Sequence, residues 1–161
     1  TVVRPFNTYG PRQSMRAVIP TVITQLARGD GKIELGALKP TRDFTFVRDT
    51  AAGIAETGAS DKAIGHVTNI GSGFEISVGE TAEIIAEVMG KHVEITQDPR
   101  RMRPTASEVD RLFAGTENAK ERFNWTPAHG GLDGFKRGIA KTAEWFADPA
   151  NLARYPQGYQ V

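Results

Sequence analysis

Arginines 42, 100, 101 and 103 and Asn7 are the residues of this chain best suited to hold an anion. Planar guanidinium forks take phosphate oxygens two at a time. Arg42 and one of the Arg100, Arg101, Arg103 cluster are therefore the natural clamps for a diphosphate, which carries about two to three negative charges. For Arg100 and Arg101 the plainer reading is a solvated basic loop. Asn7 stands where an opening strand ends, and its amide can donate to a phosphate or sugar oxygen and accept from a hydroxyl. An Asx-turn residue ahead of Gly10-Pro11 is its alternative. Glu108 and Asp110 are neighbouring carboxylates that invite an acid/base reading; a hydroxyl acceptor or an exposed loop residue is the competing one for Glu108. His66, His92 and His129 lie far apart, without metal-ligand spacing, and read as ordinary surface or strand residues. No metal site is expected, and no residue here is assigned a catalytic role.

Composition narrows the class of protein. The 161 residues suit one domain with a real core, and 39% apolar with 24% charged is ordinary for a soluble globular chain. A net charge of +1 gives no footprint for nucleic acid. The absence of cysteine excludes disulfides and thiolate metal sites and fits a reducing, cytoplasmic setting. No apolar run is long enough to cross a membrane.

The elements that must position these residues alternate. Residues 1–6 read as a buried strand running straight into a polar loop. Over residues 17–28, Val18, Ile19, Val22, Ile23 and Leu26 recur at helical spacing, ended by Gly29 and Gly31. Residues 32–35 and 44–47 read as short strands with a loop over 36–41. Asp49 caps a helix to about residue 57, where Gly58 stops it. Residues 66–70 read as a second buried strand stopped by Gly71, joined to the first by a right-handed parallel crossover. Ser77-Val78-Gly79-Glu80 is a capping box opening a helix over 78–89. A strand over 93–96, a polar loop over 98–110, helices over 116–123 and 132–146 and a loosely held tail from Asp148 complete the pattern. Trp125 and Trp145 read as core anchors, and Asn69 and Gly71 as the shapers of a tight strand exit.

One family has these landmarks in this order. Arg4-Pro5-Phe6-Asn7-Thr8-Tyr9-Gly10-Pro11, residues 13–25, Thr41-Arg42-Asp43-Phe44 with Val47 and Asp49, Asn69-Ile70-Gly71, and Arg103-Pro104 leading to Ser107-Glu108-Val109 resemble the extended short-chain dehydrogenase/reductases that modify nucleotide-activated sugars. The match covers nearly the whole chain and comes nearest to the 4,6-dehydratases, with 4-epimerases very near. The resemblance implies an α/β fold: residues 1–161 as the C-terminal, substrate-binding half of a Rossmann-type enzyme, with a small mixed α/β substrate-binding domain and about two strands of the Rossmann sheet at 1–6 and 66–70. It implies an NAD-dependent parent, homodimeric, that oxidises a nucleotide-linked hexose at C4 and eliminates water across C5 and C6.

The same resemblance distributes roles. Asn7, Arg42 and Arg103 match pyrophosphate and substrate contacts, and Ile19, Pro20 and the strand holding Glu34 match segments flanking the nucleotide base. Glu108 matches a ribose-hydroxyl acceptor, while Pro5 and Phe6 match positions against the nicotinamide. A strand-end Phe that is simply core is the alternative for Phe6, and helix core is the reading for Val18 and Val22. Met15 and Arg16 depart from the small residues usual in that loop.

The chain lacks the family's catalytic Tyr-x-x-x-Lys, since Tyr9 meets Gln13 and Tyr155 meets Tyr159. It also lacks a glycine fingerprint for a dinucleotide: Gly71-Ser72-Gly73 has no third glycine and runs towards Glu75. The expectation is therefore a chain inactive alone, whose N-terminal cofactor half is absent and whose NAD does not bind stably without it. Its expected partners are a nucleotide-diphosphate sugar and that missing half, with no nucleic acid or membrane among them. A stand-alone nucleotide-sugar-binding module is the second reading, and it needs a covering partner for the opening strand, because an unpaired strand edge invites aggregation. An upstream coding frame carrying both missing motifs would support the first reading, and a start codon just before Thr1 the second.

Overall fold

The computed structural model describes residues 1–102 and 109–155, which alternate strand and helix. In chain order the elements are Val2–Pro5 (β1), Thr8–Tyr9 (β2), Val18–Arg28 (α1), Lys32–Leu35 (β3), Thr41–Asp43 (β4), Thr45–Phe46 (β5), Val47–Ala59 (α2), Val67–Ile70 (β6), Glu75–Ser77 (β7), Val78–Val88 (α3), Glu94–Gln97 (β8), Arg111–Leu112 (β9), Glu117–Phe123 (α4), Gly131–Ala147 (α5) and Pro149–Leu152 (α6). They build two units interleaved along the chain. The first takes residues 1–9, 41–76 and 111–138; the second takes 10–40, 77–110 and the chain from 139.

In the first unit β1 and β6 pair in parallel, with Val2 opposite Val67 and Pro5 opposite Ile70. Strand alternation turns Thr68 and Ile70 inward, both fully buried. Helix α2 seats beside them through its small and polar face, Asp49, Thr50, Gly53 and Thr57. Gly53 permits that approach, since a Cβ there would lie 2.7 Å from the Ile70 side chain. Strands β2 and β5 form a second parallel pair, and β4 lies between β7 and β9 in a third sheet. Tyr9 packs edge-on to Phe46 and Phe135, with ring centroids 5.6 and 5.5 Å away, and its hydroxyl donates to the Phe135 carbonyl at 3.3 Å. Burial, reinforced by the charge of Asp49, raises the Tyr9 phenol above its ordinary pKa. Trp125 packs with Ile70 and Ala119, as a core anchor should.

In the second unit the apolar stripe of α1 buries Ile19, Val22, Ile23 and Leu26 and meets α3 and β3. The capping box of α3 is complete: Ser77 Oγ accepts from the Glu80 amide at 3.1 Å, and Glu80 Oε2 accepts from the Ser77 amide at 3.0 Å. Strands β3 and β8 pair in parallel, Lys32 opposite Glu94, and Lys91 Nζ donates to the Leu26 carbonyl.

Several expectations need correction. The opening strand is not buried in this chain: Val2 and Val67, opposite one another, are 52% and 41% exposed. The β1–β6 sheet has two strands among the described residues, and α2 and α4 both pack against it. Asp49 does not cap α2, which starts two residues earlier behind Phe46 and runs past Gly58 to Ala59. Strands β2, β4, β7 and β9 span two or three residues each, too few to show a period. The tail from Asp148 is held as far as Tyr155. Asp148 caps α6, Arg28 donates to the carbonyls of Leu152 and Tyr155 at 2.8 Å, and the Tyr155 ring lies 4.9 Å from Phe146.

Candidate functional site

Open α/β sheets bind ligands beyond the carboxyl ends of their parallel strands, and in the first unit those ends gather most of the expected residues. Pro5 closes β1 and is exposed; Phe6 follows it, half-buried, its amide donating to the Ile70 carbonyl at 2.9 Å. The Asn7 carbonyl accepts from the Thr45 amide at 3.3 Å, and Asn7 Nδ2 donates to the Asp43 carbonyl at 3.1 Å. Asn7 thus ties the end of β1 across to β4 rather than closing a local Asx turn. Asn69 Nδ2 donates to the Gly115 carbonyl at 3.2 Å. Gly71 is a site of close approach, since a Cβ there would lie 2.2 Å from Ala114 Cβ.

Arg42 is half-exposed on β4, with one guanidinium nitrogen donating to the Thr41 carbonyl at 2.8 Å. Its neighbours on either side, Thr41 and Asp43, face the other way. Thr41 Oγ1 donates to Glu75 at 2.9 Å, and Arg111 grips the same carboxylate with Nε and a terminal nitrogen at 2.8 and 2.6 Å. Those hydrogen bonds hold Glu75 below the usual carboxylate range and raise Arg111. Arg111 also lies over the Phe113 ring, 5.2 Å from its centroid.

Two charged centres were not singled out by the sequence. Asp43 is fully buried and receives hydrogen bonds from Thr45, Ser72, Gly73 and Ala114. The signal available was an acidic residue directly ahead of Phe44-Thr45-Phe46, which is buried only when satisfied. Asp49 and His129 form the second centre. Asp49 accepts from the His129 amide at 2.8 Å and meets the ring Nδ1 at 3.3 Å, and the imidazole lies 4.5 Å from the Phe46 ring. The reading of His129 as an ordinary surface residue is corrected accordingly: its side chain is 10% exposed. His66 and His92 are exposed, as expected.

The second unit holds the remaining described candidates. Ile19 and Pro20 are buried in α1, so their side chains are core there. Glu34 is exposed on β3, and the Gln25 side chain brackets its backbone, accepting from the Glu34 amide at 2.9 Å and donating to its carbonyl at 3.2 Å. Its carboxylate meets Arg101 at 3.3 Å on the wall of a cleft of about 410 Å³ lined also by Met15, Thr21, Gln25 and Lys32. The reading of Arg101 as a solvated residue is corrected: its side chain is 11% exposed and pairs with both Asp98 and Glu34. Arg100 is 79% exposed but grips Asp98 with Nε and a terminal nitrogen at 3.0 Å. Hydrogen bonds from Arg100, assisted by Arg101, lower Asp98 from 3.8 to about 2. Arg103 and Glu108 lie outside the described residues.

The amides of Ser72 and Gly73, the nearest thing to a glycine-rich phosphate loop, point at the Asp43 carboxylate and are engaged by it. Pro5 and Phe6 offer one short apolar step. Among the described residues no group of three acidic or histidine side chains could hold a metal, and no helix is long and apolar enough to cross a membrane.

The family model described as GDP-mannose 4,6 dehydratase matches residues 1–138. GDP-6-deoxy-D-mannose reductase of Pseudomonas aeruginosa is 32% identical over 131 residues, covering 78% of this chain and 42% of that protein. Among solved structures, an epimerase from Methanothermobacter thermautotrophicus matches with a TM-score of 0.81 at 29% identity, over 94% of this chain and 44% of its own. The dTDP-glucose 4,6-dehydratase of Bacillus anthracis, solved in complex with NAD, matches with a TM-score of 0.75 at 27% identity, over 92% and 44%. The chain spans less than half the length of these relatives. The parallel β1–β6 pair, the loops at its carboxyl end and a match along 138 consecutive residues agree: this chain has a Rossmann-type α/β fold and belongs to the extended short-chain dehydrogenase/reductases that act on nucleotide sugars.

Proposed function

We propose that this chain is the substrate-binding portion of an NAD-dependent nucleotide-sugar 4,6-dehydratase, clamping the nucleoside diphosphate. The observation that carries this reading is the setting of Arg42: a half-exposed guanidinium one residue from the carbonyl that anchors Asn7, in the unit where β1 and β6 end. A guanidinium fork and an amide so placed can share the oxygens of one diphosphate. Glu34 keeps its place beside the nucleotide base by resemblance alone. Arg103 and Glu108 join the clamp and the ribose contact by resemblance alone.

The role of these residues is binding and orientation. NAD, held by the other portion of the enzyme, would supply hydride abstraction and return, and this chain would present the sugar to it past Pro5 and Phe6. Holding the diphosphate fixes the hexose relative to a reacting centre, the positional contribution such enzymes require from their protein. The likeness to a solved epimerase favours a second reading, the same portion of a nucleotide-sugar 4-epimerase. Incubating the full-length protein with nucleotide hexoses separates the two by product mass, because dehydration loses one water and epimerisation loses nothing. A protein that binds nucleotide sugars and converts none would be a stand-alone binding module.

The clamp is tested by calorimetric titration with UDP, GDP and dTDP. Arg42→Ala is expected to weaken the nucleotide that binds by on the order of 1 to 3 kcal/mol, the worth of a charge-assisted hydrogen bond. Unchanged affinity in that variant removes Arg42 from the site.

A further inference from the structure

A buried carboxylate is costly unless its oxygens are satisfied, and Asp43 is satisfied in an unusual way. Oδ1 accepts from the Ser72 amide at 2.7 Å, the Ser72 hydroxyl at 2.6 Å and the Thr45 hydroxyl at 3.3 Å. Oδ2 accepts from the amides of Gly73 at 3.0 Å and Ala114 at 3.4 Å. All five donors are neutral, and three belong to the backbone. The carbonyl of the same residue accepts Asn7 Nδ2. Asp43 therefore joins the stretches that leave β1, β6 and β9 to the strand that carries Arg42.

Only a carboxylate can do this. It is an acceptor at both oxygens, whereas an asparagine of the same shape must turn an NH2 group towards one set of donors. The packing leaves no room to adjust: a Cβ on Gly71 would lie 3.0 Å from Asp43 Oδ2 and closer still to Ala114. Strand alternation makes the consequence for Arg42 direct. With Asp43 locked inward, the adjacent Arg42 side chain must leave the opposite face of β4.

We propose that Asp43 is a positioning residue for nucleotide-sugar binding: its buried carboxylate gathers the 72–73 loop, Ala114 and, through its carbonyl, Asn7, and so presets Arg42 and Asn7 for the diphosphate. The proposal rests on the clamp reading given above, and it makes a prediction of its own about the ligand-free protein.

The test compares full-length wild type, Asp43→Asn, Arg42→Ala and the double variant by titration with UDP, GDP and dTDP. It also follows the Asn7 side-chain amide and the Thr45 backbone amide by NMR without ligand. Asp43→Asn is expected to raise the dissociation constant at least tenfold. Adding Arg42→Ala to it should then cost less than a further twofold, because the guanidinium is already misplaced. Without ligand, the Asn7 side-chain amide should move to its free-solvent position, and Thr45 amide exchange should quicken at least tenfold; neither should change in Arg42→Ala.

A folded Asp43→Asn variant with affinity within twofold of wild type overturns the proposal, as do losses from the two substitutions that simply multiply. If no nucleotide binds the wild type, the clamp reading fails instead, and the NMR signals alone decide whether Asp43 holds Asn7. Should Asp43→Asn not fold, Ser72→Ala removes the shortest hydroxyl donor and keeps the backbone amide. About a threefold loss of affinity with faster Thr45 exchange supports the proposal, and no change in either overturns it.

Discussion

At the scale of single residues, three arginines of the chain are engaged by carboxylates. Arg111 is gripped to Glu75, Arg100 to Asp98, and Arg101 lies between Asp98 and Glu34. Asp98 has the clearest consequence. Its folded-state pKa of about 2 lies below the ordinary 3.8, so the ionised form is the one the fold favours. That stabilisation is complete above about pH 4 and is lost as pH falls towards 2. Thermal unfolding followed from pH 6 down to pH 2 should show the loss concentrated in that window, with a shallower fall in Asp98→Asn. An equally steep acid limb in the variant would assign the effect to other carboxylates. The pairing was illegible in the sequence for a physical reason. Three arginines within four positions read as a solvated basic loop with one anion-binding member, and the fold shows that Asp98, two or three residues back, engages two of them.

At the scale of elements, legibility follows the range of the interactions. The capping box at Ser77 and Glu80 is a contact between residues three apart, and the sequence displays it whole. Ser77→Ala should therefore cost about 1 kcal/mol, the usual worth of an N-cap hydroxyl, measured by denaturant unfolding; an unchanged midpoint would mean that tertiary packing holds the first turn of α3 without its cap. Helix α1 was legible because its apolar stripe repeats over eleven residues. Strands β4 and β9 were not: they are three and two residues long and exist because Thr41 and Arg42 pair with Arg111 and Leu112 far along the chain. The start of α2 was misplaced because Asp49 resembles a cap locally, while its carboxylate is engaged by the His129 amide eighty residues away.

At the scale of the molecule, two interleaved units each keep a core, and the β1–β6 sheet of the first leaves the paired Val2 and Val67 exposed. Ile64, 70% exposed, lies three residues ahead of Val67. Exposed apolar strand faces and edges drive association. Sedimentation of this chain expressed alone at tens of micromolar should show self-association that Val67→Lys reduces; a monomeric wild type would mean that this face is not adhesive.

Local chemistry in the sequence determined helices α1, α3, α4 and α5 with the capping box of α3, the four-residue strands β1, β3, β6 and β8, the α/β class and the residue types able to meet a diphosphate, because each depends on neighbours within a few positions or on a repeating pattern. Tertiary structure alone decided which of those residues face outward and which are consumed inside. Asp43 closes its hydrogen bonds with residues 45, 72, 73 and 114 and fixes the face from which Arg42 emerges, Asp49 takes His129 out of solvent, and Arg101 is turned onto Glu34. A buried charge chooses its partners by proximity in space, and the order of residues along the chain does not record that proximity.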